Sequence, residues 1–166
     1  MPDLLTHALV MYSVVTVASW RYERLTPSFV TVAMMGAMIP DLTKIRLVLP
    51  SYRVESALGV PFDWFALHTA GGSAIAVLIG TVLVPREYRT RVLSLLALGA
   101  ASHLLLDALL VNPSGHSYAI LWPLTQYHPP TPGFYLSTDR WPAIVTGTIA
   151  GAVWARTRRL RTSRDP

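Results

Sequence analysis

Five apolar runs, at about 4–20, 27–42, 66–84, 91–111 and 137–155, divide this 166-residue chain, each bounded by charge, proline or an aromatic residue. A hydrocarbon layer of about 30 Å takes about 20 apolar residues in a helix, with about 17–25 as the usual range. The third and fourth runs meet that length, and the second reads as a tilted or partial span. Composition points the same way: 52% of residues are hydrophobic and 14% charged, against roughly 25% charged in an ordinary soluble domain, and mean hydropathy is +0.41. The expected fold is all-α, a polytopic membrane bundle of about five transmembrane helices. Nothing marks a repeat or an internal linker, so residues 1–156 read as one membrane-embedded domain and 157–166 as a basic tail. Cysteine is absent, so any metal site must use nitrogen and oxygen donors. The first run is not read as a signal peptide, because no basic segment precedes it and His7 interrupts its apolar core.

Lysine and arginine set the direction of the bundle, because short basic loops stay on the cytoplasmic side. With the N-terminus outside, ten of the fourteen cations fall inside: Arg21, Arg24, Arg86, Arg89, Arg91, Arg156, Arg158, Arg159, Arg161 and Arg164. Lys44, Arg46, Arg53 and Arg140 fall outside. The N-out, C-in arrangement explains the net charge of +5 without nucleic acid. The "RTRRLR" tail reads as a topology determinant or a contact for anionic lipid, and Trp20, Trp64, Trp141 and Trp154 read as interfacial anchors.

Ionisable residues within membrane segments cost roughly 2.5–3.5 kcal/mol at the helix centre, so each needs a reason. His7 lies in the first turns of helix 1, Asp41 ends helix 2, Asp63 and His68 open helix 3, and His103 and Asp107 occupy the outer half of helix 4. All six fall at one depth, the outer side, although lysine and arginine alone fixed the topology. His103 and Asp107, at i and i+4, project from one helix face. Such a pair can grip one metal ion or bridge two; it can also be a hydrogen-bonded brace between helices. With His7, Asp41 and His68 at the same depth, a metal site is the stronger reading, and a mixture of imidazole and carboxylate does not select among zinc, manganese, iron and nickel. Asp63, five residues before His68, is a further ligand, a base or simply a helix cap.

The outer loop, about 112–136, is rich in proline, glycine and aromatics, and its "YAILWPL" stretch reads as a lid or re-entrant piece. His116 and His128 lie in it and read first as solvated. Lys44 and Arg46, just after Asp41, can hold a phosphate or sit among lipid headgroups.

The motifs "THALVMY" at 6–12, "GAMIPDL" at 36–42, "LHTAGGS" at 67–73, "SHLLLDAL" at 102–109 and "ILWPLT" at 120–125 resemble the YdjM-like family of inner-membrane, predicted metal-dependent hydrolases. The resemblance implies that His7, Asp41, His68, His103 and Asp107 are the metal-site residues. It also implies a distant likeness to the helical zinc phospholipase C and P1 nuclease group. One departure stands out. The family commonly shows an "HRG.THS" run, and this chain has "DWFALHT", with Asp63 in place of a histidine and Trp64 in place of the arginine. A carboxylate there changes the site's charge. If that arginine meets an anionic substrate elsewhere, either Lys44, Arg46 or Arg53 serves here or this protein binds something else.

The function expected is hydrolysis at the outer leaflet by one or two divalent ions, zinc or manganese. Asp63 is the candidate base, Lys44 and Arg46 are the candidate substrate contacts, and the substrate is a phosphate ester or lipid-like molecule. Membrane lipids are the expected partners and nucleic acid is not. The alternative is a non-catalytic membrane protein with a structural or transport-related metal site. Transport is disfavoured because the inner ends offer only residues such as Ser13, Thr16 and Ser94.

Overall fold

Proline, threonine and glycine decide where the helices begin and end. The computed structural model describes residues 4–162. Helix α1 runs Leu4–Ser19, and α2, Pro27–Met38, starts on a proline in its first turn, where a missing N–H costs nothing. Pro40 cannot continue the ladder, so the chain tightens into a 3-10 helix, Pro40–Leu47, bent by 56° from α2. The short α3, Ser51–Leu58, ends on Gly59 at φ +69°, the left-handed conformation that favours glycine. A second 3-10 helix, Trp64–His68, leads to α4, Ala70–Val82. The Thr69 side chain accepts the Gly72 N–H and so caps α4. A 3-10 turn, Arg86–Tyr88, runs into α5, Arg89–Ala108, and α6 spans Trp141–Thr162.

Three expectations change. The second apolar run is not one helix to residue 42: α2 stops at Met38 and Asp41 rides on the 3-10 helix that follows. The third helix does not open at Asp63 and His68; Asp63 caps a separate 3-10 helix, His68 is that helix's last residue, and α4 begins only at Ala70. The basic tail is not a segment of its own, because α6 continues through Arg156, Arg158, Arg159 and Arg161; Arg164 lies outside the described residues.

Among the described residues one helix, Arg86–Ala108, is long and apolar enough to cross a membrane, and the bent pair formed by α2 and the following 3-10 helix passes the same test together. Helices α1 and α4 are apolar but shorter. The described residues are otherwise turns and loop with two isolated bridges, Leu110 with Tyr135 and His116 with Pro130.

The centre of the bundle is the crossing of α2 and α5, with α1 packed on α2 and α6, and α4 on α5. Small residues let backbones approach closely in such packing. A Cβ added at Gly36 would lie 2.5 Å from the Leu96 carbonyl oxygen, and one at Gly99 would collide with Ala33 and Ala37 backbone atoms. Met11, Val15, Val30, Ala33, Ala37 and Leu95 fill one side of this crossing; Val77, Val92, Leu96 and Ala100 fill the other. Larger side chains turn outward: Ile75, Leu78, Ile79 and Val82 on α4, Leu98 and Leu105 on α5, Ile144 and Ile149 on α6 are exposed. An apolar exterior of this extent suits lipid rather than water.

Candidate metal centre

The break after α2 is what makes the centre. A helix leaves its last carbonyls without intrahelical partners, and Ala37 is in the last turn of α2. Its carbonyl oxygen lies 2.7 Å from His103 Nδ1. The Pro40 carbonyl lies 3.2 Å from His68 Nδ1. Carbonyls only accept, so both Nδ1 atoms carry the proton. In the neutral rings the Nε2 lone pairs then face inward, the arrangement by which a backbone carbonyl fixes the tautomer of a metal-ligating histidine.

Asp107 lies at the middle of these rings. His68 Nε2 is 2.8 Å from Asp107 Oδ2, His103 Nε2 is 3.5 Å from the same oxygen, and His7 Nε2 is 3.4 Å from Oδ1. The His7 and His103 rings stack at 3.8 Å and 17°, and His68 meets His103 edge-on at 5.2 Å. Asp41 completes the group, with one oxygen 2.8 Å from Lys44 Nζ. All five side chains are buried, His7 and His103 completely. In two sets, His7 with His103 and Asp107, and Asp41 with His68 and His103, the ligand atoms all lie within 4.8 Å of one another.

The donor chemistry fits a divalent cation. Two lone-pair atoms 2.8 Å apart, as in His68 Nε2 and Asp107 Oδ2, repel unless a proton or a cation lies between them. His7 Nε2, His103 Nε2, Asp41 Oδ1 and Asp107 Oδ1 are buried with no hydrogen-bond partner among the described residues, and buried polar atoms ordinarily have one. Two carboxylates with one lysine leave excess negative charge, which an ion would balance. With Nδ1 committed to Ala37, His103 has one lone pair to give, so the two sets cannot each claim it for a separate ion.

Access is from the loop side. A cleft of about 260 Å³ reaches His68 and Asp107 between Phe65, Leu110, Val111 and Tyr118. The loop is tied down by backbone: the Ala70 N–H donates to the Ile120 carbonyl at 2.7 Å and the Gly71 N–H to the Trp122 carbonyl at 2.9 Å, using donors that the first turn of α4 leaves free. The Tyr135 hydroxyl donates to the Leu106 carbonyl. Tyr118, not singled out from the sequence, stands 5.0 Å ring to ring from His68, and its buried hydroxyl has no partner among the described residues. Burial keeps that phenol protonated, well above its ordinary range. The only sequence signal for it was its place in the "YAILWPL" stretch.

The remaining candidates lie elsewhere. Asp63 is exposed; its Oδ1 accepts the Phe65 N–H at 2.9 Å and the Ser51 hydroxyl at 3.2 Å, which is a capping role. It lines a neighbouring cavity of about 690 Å³ with Glu55, Phe62, Trp122 and His128, not the cleft on His68. Replacing Asp63 with Ala is expected to cost about 1 kcal/mol of stability while metal content stays unchanged, read by thermal unfolding and elemental analysis. Loss of metal would bring Asp63 back into the centre. Arg46 is exposed on the same 3-10 helix as Lys44. His116 Nδ1 donates to Ser114, and His128 Nδ1 to Ser117, both within the loop.

Among curated proteins and among solved structures nothing matches the chain. A family model does: the chain matches that of the YdjM inner membrane protein over residues 1–163, the span that contains all five clustered residues. The protein thus belongs to the YdjM inner membrane protein family, and it carries within that membrane fold a buried histidine and aspartate group able to hold a metal ion.

Proposed function

We propose that the protein is a membrane-bound, metal-dependent hydrolase acting on a phosphate ester or lipid-like substrate. The centre is His7, Asp41, His68, His103 and Asp107, with one or two divalent ions, zinc or manganese. The observation that carries this reading is the pair of backbone carbonyls that turn the Nε2 atoms of His68 and His103 toward Asp107. A divalent ion held by these residues would polarise a phosphoryl or acyl oxygen and bring the pKa of a bound water down toward about 7. The chain's own residues do the rest. Phe65, Leu110 and Val111 give the cleft an apolar wall suited to an acyl or prenyl chain, and Asn112 and Ser117 add polar groups. Tyr118 offers a hydroxyl donor beside His68. Lys44 balances Asp41, and Arg46 is the exposed cation for a substrate anion.

The test is a screen of the purified protein against phosphodiester, phosphomonoester and lipid ester substrates, with and without chelator. Chelator-sensitive turnover that disappears in His68→Ala is expected. A structural metal is the second reading, favoured by the complete burial and stacking of His7 and His103. Bound metal without turnover on any of the three classes would establish it instead.

The membrane arrangement proposed is the five-span, N-out, C-in bundle with the centre at the outer leaflet. Its support is the distribution of arginine and the apolar faces of α1, α4 and α6. Reporter fusions are expected to place the C-terminus inside and residues 112–136 outside. A C-terminus found outside overturns the outer-leaflet assignment.

A further inference from the structure

At the end of the bundle away from the histidines, α1 forms the floor of a groove of about 710 Å³ between α2 and α6. The two centres are far apart: Thr16 in the groove is nine residues from His7, about 13 Å along α1. Helix α1 packs on both neighbours, while α2 and α6 make no extensive contact with each other, so the groove opens sideways between them. Its walls follow helical periodicity. Pro27, Val30, Thr31 and Met34 line it from α2; Trp154, Thr157, Arg158 and Arg161 line it from α6. Each set is an i, i+3, i+4, i+7 face.

The chemistry of the lining is divided. Val30, Met34 and Leu25 are apolar, whereas Arg158 and Arg161 are cations and Ser19, Thr31 and Thr157 are hydroxyls; no carboxylate lines it. Thr16 Oγ1 is buried there with no hydrogen-bond partner among the described residues. Arg158 is held by an aromatic contact, and α6, which carries both arginines, is tied to the end of α1. Arg158 lies 5.4 Å over the Trp154 ring, and Trp20 Nε1–H donates to Thr157 Oγ1 at 2.9 Å. An anion bound here would face two guanidiniums, which suit phosphate geometry, while the apolar wall and the lateral opening take a hydrocarbon chain.

We propose that this groove is a site for one anionic phospholipid, its phosphate on Arg158 and Arg161 and an acyl chain against Val30 and Met34. The site is independent of the histidine centre and of the reaction assigned to it. A lipid is the occupant rather than free phosphate because the groove is open to the bilayer along an apolar wall.

The test is native mass spectrometry of the full-length protein titrated with phosphatidylglycerol or phosphatidylcholine. One phosphatidylglycerol per chain, bound in clear preference to phosphatidylcholine, is expected. Arg158→Gln with Arg161→Gln should weaken it by about 30-fold. Arg21→Gln with Arg159→Gln removes equal charge from the same end outside the groove and should weaken it by about threefold or less. If the first pair does not fold, Met34→Trp fills the apolar wall without touching a charge and should abolish the complex. Equal losses in the two arginine pairs, equal binding of both lipids, or displacement by equimolar inorganic phosphate or an oligonucleotide would each overturn the site.

Discussion

Gly99→Ala is expected to be among the most disruptive single-methyl changes in the protein. The added Cβ meets backbone, not a side chain that can swing away: the Ala33 carbonyl oxygen, the Ala37 nitrogen at 2.5 Å and Gly36. Helices α2 and α5 must part to admit it. Overpacking costs about 1–3 kcal/mol, and a rigid backbone neighbour places this site at the upper end. The same separation pulls the Ala37 carbonyl from His103 Nδ1, so metal affinity should fall together with stability. Gly147→Ala is the control, since a Cβ there meets nothing within 4 Å and alanine favours a helix by about 1 kcal/mol. Thermal unfolding in detergent reads both; a Gly99→Ala protein as stable as the parent would mean that the two helices are not packed backbone to backbone.

Asp107→Asn gives the second large effect, because one near-isosteric change distinguishes a metal centre from a hydrogen-bonded brace. Asp107 meets all three histidines. Outer-shell partners alone are worth about 10–100-fold in metal affinity, so loss of a carboxylate ligand should cost at least about 100-fold. The asparagine amide can still donate to an inward-facing Nε2, which keeps the apo fold together. Chelation is therefore expected to lower the unfolding temperature of the parent, which loses a stabilising ligand, and to leave that of the variant unchanged. A chelator with no effect on the parent would favour the brace, and so would a variant that still binds metal normally.

Much of this centre is legible in the sequence because residue type and depth carry it. His7, Asp41, His68, His103 and Asp107 are polar groups in apolar surroundings, and lysine and arginine alone assigned them to one end. The structure brings these five together. The groups that orient them leave no such trace: the carbonyls of Ala37 and Pro40 are backbone atoms that every residue possesses. Asp41 reads in sequence as the end of a helix, yet it rides on a 3-10 helix that packs against the Trp64–His68 segment, a tertiary contact with no local signature. Asp63 has three chemically sound readings in sequence, ligand, base and cap, and the Phe65 N–H at 2.9 Å, which supports the cap, is a backbone contact that the sequence does not display. Gly36 and Gly99 carry no pattern of their own, because a close approach depends on which helix lies opposite.

The central claim, that these five residues form a metal centre, is tested most directly by elemental analysis of the detergent-purified protein beside His103→Ala/Asp107→Ala. One or two equivalents of divalent metal in the parent and none in the variant are predicted. Equal metal in the two proteins, or a metal-free parent after purification without chelator, would contradict it.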